Sequence, residues 1–137
     1  MATETTTSAT ADNPARFAGL KIAVLVPCYN EEVAIAKVVE DFRTALPEAT
    51  IFVFDNNSTD NTVTVARAAG ARVFRETRQG KGYVVRRMFT DVEADIYVLV
   101  DGDATYDAPS VRRMVGLIID ERLDMVVGSR VHSDKAA

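Results

Sequence analysis

The chain alternates between two hydrophobic periods. Lys21–Pro27 (KIAVLVP) is a short, continuous apolar run rich in β-branched residues, which predicts a strand buried on both faces. Beyond it, Ile35, Val38, Val39, Phe42 and Leu46 recur at helical spacing. They predict an amphipathic helix with Asn30 as N-cap, Glu31 and Glu32 in its positive first turn, and Pro47 at its end. The pair then repeats. TIFVFD (Thr50–Asp55) reads as a second strand, and Asp60–Gly70 as a short helix closed by Gly70. Ala71–Glu76 reads as a third strand, and Gly80–Val92 as a basic loop running into a third helix. DIYVLVD (Asp95–Asp101) predicts the fourth strand, Ser110–Glu121 a helix preceded by Pro109, and Leu123–Arg130 a fifth strand.

Strands alternating with helices at this spacing predict right-handed βαβ units, an α/β fold with a mostly parallel sheet and flanking helices. In such sheets ligands lie beyond the carboxyl ends of the strands. Residues 1–20 are small, polar and carry Pro14 and Gly19, which predicts a disordered leader before a single domain over 21–137.

Composition narrows the function classes. A chain of 137 residues with 47% hydrophobic and 26% charged positions is an ordinary globular domain. Its net charge of −4, its lack of tryptophan and its scattered basic residues argue against a nucleic-acid partner. The single cysteine, Cys28, forms no internal disulfide, and one Cys with one His makes no soft-metal cluster. No signal peptide or membrane span is legible, so the expected location is cytoplasmic.

The strand ends carry the chemistry. The first runs into Pro27-Cys28-Tyr29-Asn30-Glu31-Glu32 and the second into Asp55-Asn56-Asn57-Ser58-Thr59-Asp60. The third leads to Gly80-Lys81-Gly82, the fourth to Asp101-Gly102-Asp103 and the fifth to Gly128-Ser129-Arg130. Paired carboxylates suit a hard cation, Mg²⁺ or Mn²⁺, bridged to a diphosphate, while glycines admit phosphate to the backbone and Lys81 neutralises it. A solvated turn is the bland alternative for Asp101 and Asp103 taken alone. Tyr29 reads either as a packing residue or, the better reading, as a ring that stacks on a nucleobase. Cys28 reads as a small buried filler, His132 as a surface histidine, and Arg86 and Arg87 as a largely solvated face.

These motifs, in this order from Lys21 to Arg130, resemble family 2 glycosyltransferases with the Rossmann-like GT-A fold. Within that family they are most similar to the polyprenyl-phosphate sugar transferases of the dolichyl-phosphate mannose synthase type. The resemblance implies a nucleotide-diphosphate sugar donor of UDP or GDP type and a polyprenyl-phosphate acceptor, at the cytoplasmic face of a membrane in a full-length form. By the same resemblance, Pro27, Tyr29 and Glu31 line the nucleoside pocket, and Asp55 with Asn56 faces the base. Lys81 and Arg130 lie near phosphate, Asp101 contacts the nucleotide sugar, and Asp101 and Asp103 hold the metal. Two features depart from the pattern. The family's D-D-G-S is here Asp55-Asn56-Asn57-Ser58, and Thr105 stands where a glutamine is usual.

The resemblance also implies that the C-terminal, acceptor-binding part of the GT-A domain is missing. A general base, where one is needed, then lies beyond the chain, and an uncovered sheet edge favours self-association. A truncated, non-catalytic nucleotide-binding fragment is therefore one alternative. A haloacid-dehalogenase-like phosphatase, read from D-x-D-x-T at Asp101–Thr105, is the other.

Overall fold

The structure, a computed structural model, describes residues 17–104 and 106–126. In chain order it holds β1 (Ile22–Cys28), α1 (Ile35–Ala45), β2 (Thr50–Asp55), α2 (Thr62–Ala68) and β3 (Arg72–Arg75). Then come α3 (Lys81–Asp91), β4 (Ile96–Leu99) and α4 (Ala108–Glu121). The sheet order is β3-β2-β1-β4, and every pairing is parallel. Cys28 is in register with Asp55, and Leu25 with both Phe52 and Leu99.

Two apolar layers explain the continuous runs. On one face Val24, Val26, Ile51 and Val53 meet Val38, Val39 and Phe42 of α1, Ala66 of α2 and Val115 of α4. On the other, Ala23, Leu25 and Phe54 meet Val84 and Met88 of α3. Alternate residues of β1 and β2 thus face opposite apolar layers, which is why these two strands show no polar alternation. Phe42, fully buried against the ring of Tyr106, is a keystone of the first layer.

The order of strands reverses at β1, whose neighbours are β2 on one side and β4 on the other. A crevice opens beyond the carboxyl ends at such a switch point, because the two connections leave in opposite directions. The loops after β1 and β4 flank it.

Three boundaries differ from expectation. Asn30 does not cap α1: it sits in the left-handed region at φ 53°, and the helix starts at Ile35 after a turn in which the Ala34 and Ile35 N–H groups donate to the Glu31 carbonyl. Phe17 and Leu20, assigned to the leader, belong to the core; Phe17 is 1% exposed under the Arg112 guanidinium. An aromatic ring offers too much apolar area to stay in water beside an open core. Leu123–Val126, the start of the expected fifth strand, carries no strand pairing, and the remainder of that segment lies outside the described residues.

Candidate functional site

The first loop is stitched to the second by hydrogen bonds across the sheet. The Asn30 N–H donates to Ser58 Oγ and the Glu31 N–H to Thr62 Oγ1, each at 2.8 Å. The Glu32 N–H reaches Asp60 Oδ2 at 3.3 Å, and the Thr59 N–H returns a bond to Asn30 Oδ1 at 2.8 Å. Backbone groups that no helix or strand satisfies are thereby paired, and the loop is held rigid. Tyr29, which makes none of these bonds, is left 52% exposed on the rim.

Asp55 anchors the second loop from below. Its side chain is fully buried; Oδ2 accepts from the Ser58 N–H at 3.0 Å and lies 3.6 Å from Arg75 Nε. Its Oδ1 is buried with no hydrogen-bond partner in the structure. Asp55 is not among the residues lining the crevice. Asn56 does line it, and ties the second loop to the third. Its Nδ2 donates to the carbonyls of Glu76 and Arg78, both at 2.9 Å, and its Oδ1 accepts from the Gly80 N–H at 2.9 Å.

Within the third loop Glu76 is nearly buried, and the Arg78 backbone N–H, donating to it at 2.6 Å, holds its carboxyl below the usual range. Gly80 precedes α3 at φ 133°, where a β-carbon is strained. Lys81 then opens α3 with Nζ 3.5 Å from Asp101 Oδ1, both side chains being largely exposed. Such an exposed pair contributes little to stability, so the ammonium is available to a ligand.

Asp101-Gly102-Asp103 forms a turn just past β4. Gly102 is pressed against the first loop: an added β-carbon would stand 2.7 Å from Cys28 Sγ, 3.4 Å from the Pro27 carbonyl and 3.5 Å from Glu31 Cγ. Glycine is required here by close approach. The turn concentrates negative charge. The Glu31 carboxyl is pushed up by partial burial, then by Asp103, Asp60 and Asp101. Burial, followed by Glu31 and Asp55, likewise raises Cys28 far above the ordinary thiol range. The thiol stays protonated and inert, as expected of a filler.

The crevice so formed has a volume of about 420 Å³ and is lined by Pro27, Tyr29, Glu31, Asn56, Lys81, Asp101 and Asp103 among others. Among the described residues no third His, Cys, Asp or Glu joins the two aspartates in a closed metal cluster. A hard cation held there takes its other ligands from phosphate oxygens and water, as Mg²⁺ commonly does. Two carboxylates at one strand end, beside an exposed lysine, fit that donor set. A wider depression of about 960 Å³ between α1 and α4 contains none of these strand-end residues. Of its three cations, Lys37 is paired with Asp41 and Arg112 with Glu48, while Arg113 donates to Ser110 Oγ.

Seven of the residues singled out in the sequence thus meet at one crevice. Asp55 lies beneath it, and Arg130, Thr105 and His132 lie outside the described residues. Sequence reasoning missed Ser58, Asp60 and Thr62 as the clamps of the first loop. Their signal was the density of hydroxyl and acid groups in S-T-D-N-T.

The model of the family described as "Glycosyl transferase family 2" matches residues 23–136. Protein RfbJ of Shigella flexneri is 59% identical over 114 residues, covering 83% of this chain and 88% of that protein. A dolichyl-phosphate hexose transferase of Haloferax volcanii is 33% identical over 110 residues, covering 80% of this chain and 48% of that one. Among solved structures, glucosyl-3-phosphoglycerate synthase of Mycobacterium tuberculosis, in complex with Mn²⁺, UDP and phosphoglyceric acid, aligns with a TM-score of 0.71 at 30% identity. That alignment covers 81% of this chain and 43% of the synthase. The chain therefore spans most of RfbJ but less than half of the other two.

Proposed function

This chain belongs to glycosyl transferase family 2, and from that premise we propose that it binds a nucleoside-diphosphate sugar through a divalent cation and passes the sugar to a polyprenyl phosphate. One observation carries the reading. Asp101 and Asp103, at the end of β4, face the first loop across a crevice that also holds Lys81. The family assignment leaves the phosphatase alternative without support.

A Mg²⁺ or Mn²⁺ ion at Asp101 and Asp103 would neutralise charge on the donor's diphosphate. The chain's own residues supply the rest. Lys81 sets an ammonium at the diphosphate end, where negative charge grows as the glycosidic bond breaks. Tyr29, exposed on the rim, offers a ring face to the base, with Pro27 and Glu31 beside it. Asp55 acts from beneath, through the turn it holds. The stitched loops keep these groups in place before the donor arrives, so little ordering cost falls on binding. An acceptor phosphate is already ionised at neutral pH and needs no protein base.

The polyprenyl-phosphate acceptor is supported by the likeness to a dolichyl-phosphate hexose transferase. Among the described residues no helix is long and apolar enough to cross a membrane. Self-association through β4, the outer strand of the described sheet, where Leu99 is 48% exposed, belongs to the same reading. Donor binding without transfer is the second reading. Transfer of labelled hexose from UDP- and GDP-sugars to a polyprenyl phosphate separates the two. Turnover by this chain supports the transferase, and metal-dependent nucleotide binding without turnover supports the module.

A further inference from the structure

Asn56 is 6% exposed, and every hydrogen-bonding position of its side chain is spent within the protein. An amide offers two N–H donors and an oxygen with two lone pairs. Here both donors go to loop carbonyls, Glu76 O and Arg78 O, at 2.9 Å. The oxygen accepts from the Gly80 N–H at 2.9 Å and from Gln79 Nε2 at 3.4 Å. The orientation is fixed by its neighbours, since carbonyls surround one end and N–H groups the other.

From this saturation we infer that Asn56 is a positioning residue: it latches the Glu76–Gly80 loop, and through that loop sets Lys81 at the diphosphate, without bonding the nucleotide itself. The inference rests on the proposed donor binding and refines it. Gly80, whose N–H the latch holds, is the residue immediately before Lys81 and the start of α3. Asn57 adds a parallel tie, its Nδ2 donating to the Thr77 carbonyl at 2.9 Å. A carboxylate in place of the amide would be isosteric but could only accept. It would face two carbonyl oxygens where two donated bonds now stand, and the loop would be released. Asparagine at this position is therefore a requirement of the loop.

The test compares the wild-type chain with Asn56→Asp in two measurements. The first is hydrogen exchange at the Gly80 amide without ligand. The wild type should protect it at least about tenfold over an unstructured peptide, and N56D should lose about tenfold of that protection. The second is binding of UDP, GDP and inorganic pyrophosphate, each with Mg²⁺. All three should weaken in parallel by about tenfold, because the damage lies at the diphosphate end. Unprotected Gly80 in the wild type, or unchanged protection in N56D, overturns the latch. Loss of UDP or GDP binding with pyrophosphate untouched overturns it too, since Asn56 would then be reading the base. If N56D does not fold, Gly80 protection in the wild type decides. If the wild type binds none of the three ligands, donor binding fails and the exchange measurement still decides the latch.

Discussion

A β-carbon placed on Gly102 would stand 2.7 Å from Sγ of Cys28, so the acidic turn after β4 and the end of β1 touch with no spare room. This contact sets the distance between the aspartates and the first loop. Gly102→Ala should push the turn outward, weaken metal-dependent nucleotide binding by about tenfold and cost about 1–3 kcal/mol of stability through overpacking. Adding Cys28→Ala should recover part of both losses, because it removes the nearest atom. Calorimetry and thermal melting of the single and double variants check this. Failure of the double variant to recover either quantity would place the damage elsewhere.

Asp55 should behave as a support. Asp55→Ala leaves the Ser58 N–H without its acceptor and removes the partner of Arg75. A loss of about 2–4 kcal/mol is expected, with UDP, GDP and pyrophosphate affinities falling together. Selective loss of the nucleosides, with pyrophosphate spared, would show that Asp55 reads the base.

The Arg112–Glu48 pair should make stability depend on pH. Arg112 donates to both oxygens of Glu48, at 2.9 and 3.2 Å, and to the Ala45 carbonyl, which ties α4 to the end of α1. The Arg112 hydrogen bond is the main cause holding the Glu48 carboxyl below its ordinary value of 4.5. A carboxyl depressed in the folded state stabilises fully above its unfolded pKa and loses that contribution as pH falls through the folded one. Melting temperature should therefore drop below about pH 4.5, and Glu48→Gln should cost about 1–2 kcal/mol at neutral pH while flattening that part of the profile. An unchanged profile in E48Q would contradict the assignment.

The sequence made the frame legible because its two central strands are largely buried on both faces. Runs such as IAVLV and TIFVF have no polar alternation to mislead, and Val38, Val39 and Phe42 mark a helix stripe without ambiguity. Strand order was not legible, yet it places the Asp101 turn beside Pro27 and Cys28. The start of α1 was misjudged because Asn30 carries a capping side chain, and tertiary bonding to Thr59 claimed it first. Phe17 was misplaced because one aromatic in a polar segment gives no periodicity. Asp55 and Asn56 sit in one motif, yet only Asn56 lines the crevice, because β2 ends at Asp55 and the chain turns there, which a motif written in letters does not carry.

The central claim is that Asp101 and Asp103 hold a divalent cation that holds the diphosphate. It is tested most directly by isothermal titration of UDP and GDP into the wild type and Asp103→Ala, with Mg²⁺ or Mn²⁺ and with EDTA. At least one nucleotide should bind the wild type with metal and lose about tenfold or more in EDTA, while Asp103→Ala should bind weakly and equally in both. Equal wild-type affinity with metal and with EDTA, or an undiminished metal effect in Asp103→Ala, would contradict it.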